Sequence, residues 1–172
     1  MQFKKSLMTA TLVTIGGFAA MSSANAASPT SSSFGVSMDV ESICTVNAAP
    51  AAIVLAKTEA GKATEAVTAE TALVLNCSKG SVATIGLTPA STTSLDGTGN
   101  LKGGLLGAEL VAYKLTSGSA TGTAWGTTTP VKTAAFADYA TAISTPIFLT
   151  VTGTADVTPG PYADTINISV AY

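Results

Sequence analysis

The chain has 172 residues, room for one domain with a buried core; 47% are hydrophobic and 10% charged. Eight Lys/Arg stand against ten Asp/Glu, which excludes the clustered positive charge that neutralises nucleic-acid phosphates. With no histidine, Ser-His-Asp and Cys-His catalysis are excluded, and two cysteines cannot complete a structural zinc site.

Residues 1–26 read as a secretory signal peptide. Lys4 and Lys5 form the positive region, Leu7 to Met21 is largely apolar, and Ala24-Asn25-Ala26 supplies a small-x-small cleavage site. The apolar run is broken by Thr9, Thr11, Thr14 and Gly16-Gly17, whereas a membrane-spanning helix needs about 20 apolar residues. After residue 26 there is no arginine, and six lysines against ten carboxylates give a formal charge of −4. In an oxidising compartment an even cysteine count reads as a disulfide, here Cys44–Cys77.

Residues 27–41 form a second region. Ala27 to Ser33 is too small and polar to pack. Phe34, Val36, Met38 and Val40 then alternate with Gly35, Ser37 and Asp39, the period of a half-buried strand. Burying those four side chains is worth on the order of 6–12 kcal/mol before ordering costs. Two readings stay open on the residues alone: the strand completes its own domain's sheet, or it adds to the sheet edge of another copy.

Residues 42–172 read as a β-sandwich domain. Alternation breaks at Ser42-Ile43, and Cys44-Thr45-Val46 opens a new strand. Ile53-Val54-Leu55 is a short apolar run, and Lys57 to Glu70 is weakly helical in composition but interrupted by Gly61 and Thr64, so 48–71 reads mostly as loop. Ala72–Cys77 and Val82–Leu87 read as a hairpin closed by Ser78-Lys79-Gly80-Ser81. Thr88–Gly104 reads as an exposed loop. Glu109–Leu115 and Ile147–Val151 are strands, and Trp125 packs at the core edge. Pro159-Gly160-Pro161 stops the chain before a terminal strand. There Ile166, Ile168, Val170 and Tyr172 face the core, and Asn167 and Ser169 face away. About eight short strands without a long helical pattern predict an all-β sandwich with Greek-key, immunoglobulin-like connections.

Four groups of residues together resemble the spore coat protein U family, which includes the archaic chaperone–usher pilins. They are Val40-Glu41-Ser42-Ile43-Cys44-Thr45-Val46, Leu73-Val74-Leu75-Asn76-Cys77, Tyr113-Lys114-Leu115 with Trp125-Gly126, and the ending Pro159 to Tyr172. The resemblance implies an immunoglobulin-like pilin domain that lacks its final strand. Its groove would border Ile166, Ile168, Val170 and Tyr172, with Phe34, Val36, Met38 and Val40 as donor strand. The implied partners are a periplasmic chaperone, an outer-membrane usher and other pilin subunits, joined as a homopolymer by strand exchange. The implied localisation is export through the periplasm to the cell surface. No cofactor, metal, catalytic residue or nucleic-acid partner is expected. The functional expectation is a shaft subunit of a pilus that supports adhesion and biofilm formation. The alternatives are a tip or minor adhesin subunit, and a secreted spore-coat-like structural protein that forms no fibre.

Overall fold

The computed structural model describes residues 31–59 and 67–172. The expected signal peptide, and the start of the leader at 27–30, lie outside the described residues.

Ten strands and one short 3-10 turn are formed by the described residues. In chain order they are β1 (Cys44–Ala48), β2 (Thr68–Cys77), β3 (Thr84–Pro89), β4 (Thr98–Gly103), the turn η1 (Leu105–Gly107), β5 (Glu109–Ser117), β6 (Thr123–Ala124), β7 (Val131–Lys132), β8 (Ile143–Val151), β9 (Tyr162–Ala163) and β10 (Ile166–Ala171). The larger antiparallel sheet runs β1-β2-β8-β5-β4-β9, and β6 pairs with β5. The smaller runs β10-β3-β7. The fold is all-β and immunoglobulin-like. The order β1-β2-β8-β5 is that of the first four-stranded sheet in the seven-strand layout, and β3 with β10 supplies two strands of the opposite three-stranded sheet.

Alternation builds the core between the sheets. Leu73, Leu75 and Cys77 of β2, Ile85 and Leu87 of β3, Val111, Tyr113 and Leu115 of β5, and Ile147, Leu149 and Val151 of β8 are all buried. Each set sits at every second position, so one face of each strand is dry. Trp125 is not at the core edge but fully buried, with its indole Nε1–H donating to the Ile85 carbonyl at 2.9 Å. Buried indoles need that partner. Gly99 of β4 lies under the Tyr113 ring, where an added Cβ would meet the ring and come within 2.8 Å of the Pro89 Cβ.

Cys44 and Cys77 are bonded, with Cα atoms 4.1 Å apart. They face one another in the β1–β2 ladder, so the disulfide ties the first strand of the domain to a central core strand.

Among the described residues no ladder pairs with residues 34–40, and Phe34, Val36, Met38 and Val40 are 79–87% exposed, as expected of an extended segment whose partner would be another copy. Three local expectations are corrected. β2 and β3 are not a hairpin. They belong to different sheets, and residues 78–83 cross between them. β2 begins at Thr68, not Ala72, because Thr68 to Thr71 pairs with Thr150 to Ile147 of β8. The expected loop at 88–104 contains β4, whose Thr98 to Gly103 pairs residue for residue with Lys114 to Glu109. Both extra stretches are rich in Thr, Gly or charge, and long-range pairing decides their state over local preference. Ile53-Val54-Leu55 enters no ladder, although Ile53 and Leu55 pack on the core.

Candidate strand-docking groove

β10 is an edge strand. One side pairs antiparallel with β3 from Ile166↔Pro89 to Ala171↔Thr84. Among the described residues no strand pairs with its other side. Its unpaired N–H and C=O groups are a template for strand addition. In the seven-strand layout this is the position of the last strand.

Beside that edge opens a cavity of about 1050 Å³. Its floor is the inner face of the larger sheet, with Val111, Tyr113 and Leu115 from β5 and Ile147, Leu149 and Val151 from β8. Ile166 and Ile168 line it from β10, and residues 49–58 contribute further lining, apolar from Ala49 to Ala56. Carbon dominates the walls, so the cavity suits apolar side chains on an extended backbone.

The four terminal positions fare differently. Ile166 and Val170 pack against the core. Ile168 shares their face by alternation and lines the cavity, yet it is left 36% exposed. Tyr172 does not face the core as expected but is 58% exposed. Pairing ends at Ala171, so no ladder holds residue 172 to the inner face.

Two polar networks fix the cavity rim. The Tyr113 hydroxyl donates to Asp164 Oδ2 at 2.6 Å, and the Ser91 hydroxyl donates to the same oxygen. Ser91 Oγ in turn accepts from the Asn100 backbone N–H at 2.8 Å. Asp164 Oδ1 accepts from the Thr165 N–H at 2.7 Å. One carboxylate thus ties β4, β5 and the Ser91 loop to the residue just before β10. Burial, and then the bond to Asp164, raises the Tyr113 pKa far above the ordinary phenol range. This tyrosine is a neutral donor at any physiological pH.

The second network holds the 152–162 loop. Glu109 accepts from the Thr158 hydroxyl at 2.6 Å, the Tyr162 hydroxyl at 2.6 Å and the Thr158 N–H at 2.5 Å. The Thr158 hydroxyl bond, followed by that from Tyr162, holds the Glu109 carboxyl below its usual range. Desolvation and then the Glu109 bond push Tyr162 up to about 12. A depressed carboxylate contributes while ionised, so the latch is present above the ordinary Glu pKa and is lost as pH falls through the lower folded value. In an NMR titration the Thr158 amide resonance is expected to move with a midpoint below 4.5, the ordinary value. Glu109→Gln should abolish that titration. A midpoint at or above 4.5 would contradict the latch.

Among the described residues no three or more His, Cys, Asp or Glu side chains gather as a metal site.

A family model described as the Spore Coat Protein U domain matches residues 30–169. The chain belongs to the Spore Coat Protein U domain family. No curated protein matches it. In fold, this family member is similar to a chain in the crystal structure of the CsuC–CsuE chaperone–tip adhesion subunit pre-assembly complex, from the archaic chaperone–usher Csu pili of Acinetobacter baumannii. The TM-score is 0.50 at 15% identity, covering 77% of this chain and 40% of that one. It therefore spans less than half the length of the solved chain it matches, and the likeness is one of fold.

Sequence reasoning placed the terminal strand beside the groove but missed most of its floor and the 49–58 lining. The alternation in Glu109–Leu115 and Ile147–Val151 was the available signal. It marks a buried face without saying which part of that face lacks a cover.

Proposed function

We propose that this protein is a structural subunit of a bacterial surface pilus, assembled by donor-strand exchange. The observation that carries the reading is the free edge of β10 beside a cavity of about 1050 Å³, in a chain whose residues 34–40 present four exposed, alternating apolar side chains. An apolar edge of this kind invites aggregation unless it is covered. In this reading a periplasmic chaperone covers the groove after export, and an outer-membrane usher exchanges that cover for Phe34, Val36, Met38 and Val40 of the next copy. Membership of the Spore Coat Protein U domain family supports the reading, as does the fold likeness to a chain of a chaperone–subunit complex.

An arm able to serve a neighbour favours a shaft position, displayed at the cell surface, where the fibre would support adhesion and biofilm formation. The test is a full-length variant with Phe34, Val36, Met38 and Val40 all changed to Ser, expressed with a chaperone and usher of this pilus class. Its soluble chaperone complex is expected at wild-type yield, because the groove is intact, while fibres fall below a tenth of wild type. Normal fibres would show that the arm is not the donor. Strictly monomeric wild-type protein under the same conditions would favour the non-fibrous coat-protein reading.

A further inference from the structure

The base of the arm is fastened to the domain. The Ile43 N–H donates to Ser78 Oγ at 2.8 Å, and the Ser78 N–H donates back to the Ile43 carbonyl at 2.8 Å. The Ser42 and Ser81 hydroxyls lie 3.1 Å apart, and the next residue, Cys44, is bonded to Cys77. The chain before Ser42 must therefore start from the Ser78–Ser81 crossing, wherever it goes next.

That crossing lies past one end of the groove. Ala171 pairs with Thr84 at the first residue of β3, and Ile166 pairs with Pro89 at the last. Residues 81–83 continue the line of β3 backwards alongside 133–136. The Thr133 N–H donates to the Ala83 carbonyl at 2.9 Å, and the Phe136 N–H donates to the Ser81 carbonyl at 3.0 Å. At about 3.4 Å per residue, β10 is about 17 Å long and Ser81 stands about 10 Å beyond its Ala171 end. Ser42, held at Ser81, is then about 27 Å from the level of Ile166 along the strand axis.

This fixes the polarity available to the chain's own arm. In an antiparallel insertion Val40 would lie at the Ile166 end of β10, but two residues from Ser42 reach at most about 7 Å. In a parallel insertion Val40 would lie near Ala171 and Phe34 near Ile166, which the tether permits. The arm of a second copy has no such restriction and can take the antiparallel ladder, the slightly more stable pairing per residue.

Resting on the donor-strand reading above, we infer that the Ser42–Ile43–Cys44 fastening to Ser78, Ser81 and Cys77 is a device against self-capping. It bars a chain's own arm from the antiparallel register beside β10 and leaves that register to another copy.

Three full-length proteins test the inference, with a fluorescein-labelled peptide of residues 31–41 as probe at submicromolar protein. One is wild type. The second has the four arm residues changed to Ser, so its groove cannot be filled by its own arm. The third carries a 20-residue Gly/Ser linker between Glu41 and Ser42, whose end-to-end distance of about 25 Å lets the arm reach the Ile166 end at a millimolar effective concentration. Wild type and the serine variant are expected to take up the peptide at rates within threefold of each other, and the linker variant at least tenfold more slowly. Equal uptake by the linker variant and wild type, whether fast or slow, would overturn the inference while leaving the groove reading intact. No uptake by the serine variant would overturn the groove reading and the inference with it.

Discussion

Adding the 31–41 peptide to the variant with serine at positions 34, 36, 38 and 40 is expected to raise its melting temperature by roughly 10 °C at one hundred times the dissociation constant. The reasoning is linkage. A ligand that binds the folded state alone stabilises it by about 2.7 kcal/mol at that ratio, and a domain of this size responds by a few degrees per kcal/mol. The folded state alone has the site, because the cavity is assembled from β5, β8, β10 and residues 49–58, which are far apart in the chain. The side chains explain why the peptide should fit. Phe34, Val36, Met38 and Val40 fall on one face of an extended strand, and the floor they would meet is Val111, Leu115, Ile147, Leu149 and Val151. Ile168 gives the effect a local reporter, since its present exposure of 36% should be covered on binding. A control peptide with serine at the four positions keeps the main-chain hydrogen-bonding capacity but loses the apolar burial, and should shift the melting temperature by less than 2 °C. Equal shifts from the two peptides would mean that the edge accepts any strand and that the side chains add nothing.

Replacing Cys44 and Cys77 together by Ala is expected to cost about 3–4 kcal/mol of folding stability. The bond closes a loop with a sequence separation of 33, and loops of that length give this magnitude in the chain-entropy model. With a typical urea dependence for a domain of this size, the midpoint should fall by about 2 M. Cys77 is fully buried beside Leu75 and Leu73, so part of the loss is contact as well as loop closure, and alanine is the smallest disturbance that removes the bond. The fastening at the arm base should loosen too, because Ile43 adjoins Cys44 and holds Ser78 through one backbone–backbone bond and two bonds with the Ser78 hydroxyl. A midpoint within 0.5 M of wild type would contradict the assigned role of the disulfide.

The sandwich was legible because its central strands are apolar, β-favouring runs bounded by turn residues. Leu73-Leu75-Cys77, Ile85-Leu87 and Val111-Tyr113-Leu115 fall in the spans read as strands, and the structure buries them at alternate positions. Pairing was not legible to the same depth. β2 and β3 are close in sequence and look like a hairpin, yet the chain between them crosses from one sheet to the other, and a strand's pattern does not name its partner. β4 was hidden for a related reason: Thr98-Gly99-Asn100 has turn-like chemistry, and it becomes a strand because it pairs with β5, with Gly99 leaving room for the Tyr113 ring. The groove follows from an edge of β10 that no strand among the described residues covers. Terminal residues Ile166, Ile168 and Val170 announced a strand with one apolar face, but the sequence has no mark for a face left partly bare. The polar rim was illegible too, since Asp164 and Glu109 find partners that lie 51 and 53 residues away in Tyr113 and Tyr162.

The central claim is that β10 is completed by residues 34–40 of another copy. A cryo-EM structure of assembled fibres tests it most directly. The predicted result is a strand of residues 34–40 hydrogen-bonded along the free edge of Ile166–Ala171 of the neighbouring subunit, with Phe34, Val36, Met38 and Val40 inside the cavity above Leu115 and Leu149. A fibre in which that edge is unpaired, or in which each subunit's own arm fills its own groove, would contradict it.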